Sequence, residues 1–248
     1  MMAGANTGKL ALAALGLVLL ACEDVRFTPS GLQVDVFEQA PLPVVDILWV
    51  VDNSGTMREE RQQLGEKFDQ FMSELEKVGA DYHIGIVSTD TDDPTHSGRL
   101  QGSPKIIGND TADPKATFIA NVDLPETSNR NEKGLEAMRA ALAQAQPGDV
   151  NAGFRRRDAW LVIIFLTDEN DCSDGGALEL RSGSECEWQR DDLIPVQTFI
   201  DFLNTYQGMT EGEHILFAGI IGPDDGIRYD QPETPNPSCS NPDRGDAY

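Results

Sequence analysis

Two short turns carry the residue types in this sequence that could do chemistry. The first runs Asp52-Asn-Ser-Gly-Thr56 and the second runs Thr167-Asp-Glu-Asn-Asp171. Carboxylate and hydroxyl oxygens suit Mg²⁺, which takes six oxygen ligands at about 2.0–2.1 Å and gives up its waters reluctantly. We therefore predict a divalent-cation site, with Mg²⁺ as the expected ion and Mn²⁺ or Ca²⁺ as alternatives, built from Asp52, Ser54, Thr56 and Asp168.

Each turn follows a nearly continuous apolar run that predicts a buried strand. The two runs are Val44–Val51 and residues 160–166. Both are rich in β-branched residues, which is typical of parallel strands that are buried on two faces. In an open α/β sheet, ligands bind beyond the carboxyl ends of the strands. We therefore expect the two turns to lie at the same edge of one sheet.

Helical periodicity and further apolar runs complete an α/β pattern. Apolar side chains recur at helical spacing from Met57 to Val78, with Gly79 where a C-terminal cap belongs. Further strands are predicted at residues 82–88 and 215–221, further helices at 131–144 and 192–206, and only short β-like pieces within 89–124. Strands that alternate with helices predict a doubly wound, mostly parallel sheet flanked by helices, in one domain spanning residues 44–248.

The pattern Asp52-x-Ser54-x-Thr56, between an apolar strand and an amphipathic helix that opens with Met57, resembles the first segment of the von Willebrand factor A (vWA) domain. In that family the pattern is Asp-x-Ser-x-Ser, part of a metal-ion-dependent adhesion site. The resemblance covers roughly residues 44–223. It implies a Rossmann-like fold whose metal takes one ligand from a partner protein, in the form of a carboxylate.

The vWA resemblance also implies two further site residues. Asp168, at the end of a later apolar strand, matches the second acid of the family's site. A loop before an intervening helix should supply a threonine, and Thr127 is the best match, with Ser128 and Asn131 as alternatives. After Ile221 the sequence becomes rich in Pro, Asp and Asn, so the resemblance implies a vWA domain that lacks its last helix and edge strand.

Three other interpretations of these turns stay open. An Asp-x-Ser at the start of a helix is also an ordinary N-cap. A vWA fold without a metal would serve only as a scaffold. A phosphotransfer enzyme of the haloacid-dehalogenase type also places Asp after an apolar strand, but it needs Asp-x-Asp-x-Thr, and Ser54 cannot hold and return a proton near neutral pH. We therefore expect a binding protein, not an enzyme.

The first 22 residues resemble the export signal of a bacterial lipoprotein. The apolar run from Leu10 to Leu20 is too short for a bilayer core, which needs about 20 residues. It ends in Ala21-Cys22, as a lipobox does. Residues 1–21 would then be removed, Cys22 would carry the lipid, and 22–43 would be a tether. A general signal peptide cleaved nearby is the alternative. We expect a lipid-anchored protein of the bacterial cell envelope, on the outer membrane or cell surface.

Export would place the cysteines where disulfides form and persist. Cys172 and Cys186 enclose a polar loop rich in Gly and Ser and are predicted to form a disulfide, which leaves Cys239 without an assigned partner. The sequence has no Cys-x-x-Cys, and its three histidines are scattered, so a zinc site is not expected.

The charge balance restricts the partners. The chain has 42 Asp and Glu against 19 Lys and Arg, a formal net charge of −23. Nucleic-acid binding needs clustered Lys and Arg, so nucleic acid is excluded as an expected partner. A basic patch on anionic lipid is excluded for the same reason, and membrane contact is expected through the N-terminal lipid only.

Overall fold

The structure is a computed structural model that describes residues 43–127, 131–178, 186, 189–206 and 214–221. All of these residues belong to one compact unit, Pro41–Tyr248. The predictions made for residues 1–21, for Cys22, for the tether up to residue 42, for Ser128, for Cys239 and for the sequence after Ile221 lie outside the described residues. Within the part that is described, no helix has the length and apolar character needed to cross a membrane.

The described residues form five strands and four helices. The strands are β1 (Val44–Val51), β2 (Asp81–Ser88), β3 (Ile107–Gly108), β4 (Trp160–Thr167) and β5 (Ile215–Ile221). The helices are α1 (Arg58–Lys77), α2 (Pro114–Val122), α3 (Gly134–Ala143) and α4 (Val196–Thr205), with a 3₁₀ turn at Arg190–Asp192 before α4.

The strands form one sheet in the order β3-β2-β1-β4-β5. Strand β1 is central and pairs in parallel with β2 and β4, β5 is parallel to β4, and the short β3 is antiparallel to β2. The register sets Val51 beside Ser88 on one side and beside Leu166 on the other. The carboxyl ends of the three longest central strands therefore meet, and the predicted α/β doubly wound fold is confirmed.

A hydrophobic core lies on each face of the sheet, because alternate residues of a strand point to opposite faces. On one face, Trp49 packs with Phe68 of α1 and Phe118 of α2, whose rings are stacked with centroids 3.8 Å apart. On the other face, Val50 packs with α3 and α4 through residues such as Met138 and Phe199. Burial on both faces explains the nearly continuous apolar sequence of β1, in which Asp46 is the exception.

Helix α2 was not predicted from the sequence. Its start carries ordinary signals: the Asp113 carboxylate accepts a hydrogen bond from the backbone N–H of Ala116, and Pro114 occupies the first turn. The helix has only nine residues, in a stretch otherwise rich in turn-forming residues. Tertiary packing of Phe118 and Val122 against α1 and the sheet therefore stabilises a helix too short to show a clear period.

The amino end of β1 is fixed by a buried ionic cluster. The Asp46 side chain is fully buried and accepts hydrogen bonds from Arg155 Nη1 at 2.9 Å and from Arg156 Nε at 2.8 Å. The backbone N–H of Arg156 also donates to Asp46 Oδ2, at 2.6 Å. A buried carboxylate is tolerated only when it is paired in this way. The cluster ties the segment before β4 to the start of β1.

Candidate metal site

The turn after β1 is held in place by Asp52. Its backbone N–H donates to the carbonyl of Leu166 at 2.9 Å and so continues the contact with β4. Its Oδ1 accepts a hydrogen bond from the backbone N–H of Ser54 at 2.7 Å. Both Asp52 and Asn53 are buried, whereas Ser54 is half-buried and Thr56 is exposed. The turn therefore presents its two hydroxyl side chains outward from a buried acidic base.

Arg61, in the first turns of α1, supports this turn from the protein side. Its Nη1 donates to the carbonyl oxygens of Asp52 and Ser54, each at 3.0 Å. The Arg61 side chain is buried, and these backbone contacts leave the Asp52 carboxylate oxygens to other partners. Helix α1 therefore stabilises the conformation of the turn that precedes it.

The two predicted hydroxyl ligands lie side by side at the end of β1. The oxygens Ser54 Oγ and Thr56 Oγ1 are 2.9 Å apart, and Thr56 Oγ1 donates to Asp168 Oδ1 at 3.4 Å. Asp168 directly follows β4, which pairs with β1, so the parallel register brings it to the same edge of the sheet. The structure therefore brings together Ser54, Thr56 and Asp168, at a surface open to solvent.

Thr167 belongs to the candidate site, although the sequence analysis did not single it out. Its hydroxyl is buried and donates to the second carboxylate oxygen of Asp52, Oδ2, at 2.9 Å. Both oxygens of Asp52 therefore have fixed partners, one from its own turn and one from the end of β4. The available signal was a hydroxyl residue directly before Asp168, at a position where an apolar strand ends.

Glu132 is the second residue that the sequence analysis missed. It lies in the segment before α3 and is buried, and its backbone carbonyl accepts a hydrogen bond from the N–H of Cys172 at 2.7 Å. Burial raises the pKa of Glu132 to about 9, and the neighbouring charges of Asp52, Glu169 and Asp168 add to that rise. Its carboxyl group therefore interacts electrostatically with the same acids as the predicted ligands.

The other two acids of the centre are shifted in the same direction. Burial, and then the charge of Asp52, raises the pKa of Asp168 to about 6. Burial raises the pKa of Asp52 above its usual range, while hydrogen bonds from Ser54 and Thr167 oppose that rise. None of these carboxylates forms an ion pair with a Lys, Arg or His of the described residues. A cation at this place would relieve their mutual repulsion.

Thr127, the predicted loop ligand, lies beside the turn on its other flank. Its backbone N–H donates to the carbonyl of Asn53 at 3.1 Å, and its hydroxyl donates to Asp90 Oδ2 at 2.7 Å. Asn131, one of its alternatives, is buried directly before Glu132. Thr127 thus borders the turn at the backbone of Asn53, with its hydroxyl engaged by the acid that follows β2.

The loops around the site are tied to one another through the start of α3. The Asp171 carboxylate accepts from the backbone N–H of Leu135, and Ser173 Oγ accepts from that of Glu136, each at 2.9 Å. Burial raises the pKa of Asp171 to about 6. Cys172, between these two caps, bonds to Cys186 with the sulfurs 2.06 Å apart, so the predicted pair does lie at disulfide distance.

Lys133 adds an ionic link across the same loops. Its buried side chain places Nζ 2.8 Å from Asp92 Oδ1 and 2.9 Å from Asp174 Oδ1. Asp92 belongs to the loop after β2 and Asp174 to the loop after β4, while the backbone N–H of Lys133 donates to the carbonyl of Thr89. This lysine therefore fixes the position of its neighbour, Glu132, relative to the ends of β2 and β4.

The chemistry of the donor set fits a hard divalent cation. Hydroxyl and carboxylate oxygens suit Mg²⁺, Mn²⁺ and Ca²⁺, whereas soft or imidazole-seeking metals need Cys or His. Among the residues that the structure describes, no three His, Cys, Asp or Glu side chains are grouped so that they could hold a metal ion by themselves. A cation here would therefore depend on the hydroxyl oxygens of Ser54 and Thr56.

Comparisons with known proteins add little to this description. No protein-family model and no curated protein matches the chain. Among solved structures, the chain is similar to proximal thread matrix protein 1 from the mussel byssus, with 12% identity and a TM-score of 0.31 over 71% of this chain. The match covers 44% of that protein, so the chain spans less than half of its length.

Proposed function

We propose that this chain is a divalent-cation-dependent protein-binding domain of the vWA type, exported and lipid-anchored in the bacterial cell envelope. The observation that carries the proposal is the contact of Ser54, Thr56 and Asp168 at the ends of two adjacent parallel strands. Hydroxyls alone are neutral, and the nearby acids supply the charge that Mg²⁺ requires.

The residues that would hold the metal divide into two kinds. Ser54 and Thr56 would bind it through their hydroxyl oxygens, with Thr127 from the neighbouring loop. Asp52 and Asp168 would supply negative charge, directly or through waters. The bound metal would supply an open position for an oxygen ligand from outside the chain. This chain's own residues fix the turn, exclude solvent below it and set the charge around the metal.

The exposure of the site favours a protein partner that offers a carboxylate. Thr56 is exposed and Ser54 is half-buried, so a protruding side chain can reach the site without a conformational change. An acidic partner alone would be repelled by a chain of net charge −23, and the metal would convert that repulsion into attraction at one point. In the described residues the Ser88 hydroxyl lies 2.8 Å from His96 Nδ1, but both residues are buried, and binding needs no such pair.

The first test is calorimetric titration of Mg²⁺ and Mn²⁺ into the full chain. We expect one saturable site in the wild type, no site in the double variant Asp52→Ala, Ser54→Ala, and an unchanged site in Asp158→Ala. Asp158 is exposed before β4, at the opposite end of the sheet, and serves as the matched control. Circular dichroism and thermal melting of each variant establish that it is folded.

The partner is tested with the same variants. A peptide library immobilised on beads, with and without acidic residues, should retain the wild-type chain only when Mg²⁺ or Mn²⁺ is present. Retention should require an Asp or Glu in the peptide and should disappear in the double variant. A folded wild-type chain that binds no metal would leave the fold as a metal-free scaffold and would refute this proposal. Release of inorganic phosphate from a phosphomonoester would support the phosphotransfer alternative instead.

A further inference from the structure

We propose that β5 pairs with the β5 of a second copy of this chain, antiparallel about Ala218, so that two five-stranded sheets join into one. In the described part of the chain, β5 pairs with β4 and has no strand on its other side. Soluble proteins usually protect such an edge with charges, prolines or bulges. The sequence Ile-Leu-Phe-Ala-Gly-Ile-Ile of β5 has no charge and no proline. The proposal is independent of the metal site.

The backbone of β5 presents the right groups at this edge. The carbonyl of His214 accepts a hydrogen bond from the N–H of Leu161, so His214 faces β4. Backbone groups alternate in direction along a strand, and those of Phe217 and Gly219 therefore face the open side. In antiparallel pairing about Ala218, Phe217 lies opposite Gly219 of the second copy. These are the residues that would exchange pairs of hydrogen bonds.

The side chains of β5 also complement their own reversed copy. Phe217 would lie opposite Gly219, where an aromatic ring can cover the backbone that a glycine leaves bare. Leu216 would lie opposite Ile220 on the other face of the sheet. Ala218, the smallest side chain of the strand after glycine, would meet itself on the two-fold axis, where Cα atoms approach to about 4.5 Å. Each cross-strand pair is therefore apolar.

The exposed apolar area is of the size that a dimer needs. Beside β5, helix α4 borders a groove of about 560 Å³. Six large apolar side chains of these two elements are each 36–59% exposed: Val196, Ile200, Leu216, Phe217, Ile220 and Ile221. With about 180 Å² for each side chain, a value in the range of an aromatic ring and generous for the five aliphatic ones, two copies would bury at most roughly 1,000 Å² of apolar surface before the strand backbones are counted. Stable interfaces bury roughly 1,200–2,000 Å² in total.

The lack of charge on this surface is compatible with a second copy as the occupant. Two molecules that each carry −23 repel one another at long range, and salt screens that repulsion, so a shared surface must avoid burying like charges. The residues that line the groove include no Asp, Glu, Lys or Arg. The edge of β5 is therefore a surface on which two such molecules can meet without burying like charges. A basic partner would be attracted to acidic surfaces elsewhere on the chain, whereas this groove is lined by no Asp or Glu.

The test uses Ala218→Lys and Ala218→Glu in the full chain, with Ala152→Lys at another exposed alanine as the control. Sedimentation velocity at micromolar concentration should give a dimer for the wild type and the control, and a monomer for each Ala218 variant alone, because like charges then face each other on the axis. An equimolar mixture of the two variants should regain the dimer. The result should be the same with EDTA and with Mg²⁺.

A second measurement separates the other possible occupants. Ala218→Cys should cross-link to a covalent dimer on mild oxidation, above the background of the wild-type cysteines. A monomeric wild type whose Ala218→Cys thiol reacts slowly would mean that another segment of the same chain covers β5, and it would overturn the proposal. A monomer with a fast-reacting thiol would overturn it too, in favour of a different partner. If the wild type is a dimer but the equimolar mixture of Ala218→Lys and Ala218→Glu stays monomeric, the antiparallel register about Ala218 is overturned.

Discussion

Replacing Glu132 with Gln should remove most of the pH dependence of stability between pH 6.5 and 8.5 in the metal-free protein. Gln keeps the size of the side chain and cannot ionise. Burial and the neighbouring acids raise the pKa of Glu132 from 4.5 to about 9. The unfolded chain loses this proton near pH 4.5, whereas the folded chain keeps it until about pH 9. Folding therefore takes up a proton throughout this interval, and stability falls as pH rises.

The expected size follows from that proton. One proton taken up on folding changes the free energy of unfolding by about 1.4 kcal/mol per pH unit. Between pH 6.5 and 8.5 the wild type should therefore lose about 2.7 kcal/mol, and Glu132→Gln should lose much less. Asp168 and Asp171, each with a pKa raised to about 6, add their own losses mostly below this window.

The assay is urea unfolding in EDTA at pH 6.5, 7.5 and 8.5, with Asp158→Asn as a control for a surface acid. Saturating Mg²⁺ should flatten the wild-type profile, because a cation stabilises the ionised carboxylates and releases the proton. A wild-type stability that does not fall between pH 6.5 and 8.5 would refute the reasoning. So would a Glu132→Gln profile as steep as that of the wild type, since Glu132 would then not be the group that takes up the proton.

Three further changes test the site and the packing that supports it. Thr56→Val should weaken Mg²⁺ binding about tenfold or more, a loss of about 1.4 kcal/mol in binding free energy. Thr56→Ser keeps the hydroxyl and should bind Mg²⁺ as the wild type does. Calorimetric titration of both variants measures the difference. Lys133→Met should destabilise the fold by about 3 kcal/mol, because it leaves Asp174 buried without its ion pair. Urea unfolding should measure this loss in comparison with Lys133→Arg, which keeps the positive charge. Phe68→Ala should cost about 3–5 kcal/mol, because Phe68 is fully buried against Phe118; equal midpoints in urea would contradict that packing.

The sequence predicted the central strands well because burial on both faces leaves a direct mark. Val44–Val51 and residues 160–166 are nearly continuous apolar runs, and the structure has β1 and β4 at those places. The edge strand β5 was predicted from the same kind of run, although most of its residues are exposed. The helix that follows β1 was predicted from its apolar period and ends beside Gly79, which has a left-handed backbone with φ of 63°. Short elements left no such mark: β3 has two residues, and α2 has a nearly even distribution of apolar side chains.

The candidate site was predictable only where its residues follow a strand directly. Asp52 and Asp168 could be placed from the strands that precede them. Glu132 could not, because its burial depends on the loop after β4, which packs over the start of α3 through Cys172 and Ser173. The neighbours of Glu132 in the sequence, Asn131 and Lys133, do not indicate such packing. Contacts between loops that are distant in sequence therefore determine which acids belong to the site. The periodicity of apolar residues does not reveal such contacts.

The position of β1 has a mechanical consequence for a tethered protein. The strand begins at Val44, beside the Asp46 ionic cluster, and ends directly before Asp52. If Cys22 is anchored to the membrane and a partner is bound at the candidate metal site, a pulling force acts on the two opposite ends of β1. Because β2 and β4 pair with β1 along nearly its whole length, their hydrogen bonds would be loaded together, in shear. Pulling from Cys22 and residue 54 should therefore need a larger force than peeling β5 from the edge, which single-molecule force spectroscopy can measure.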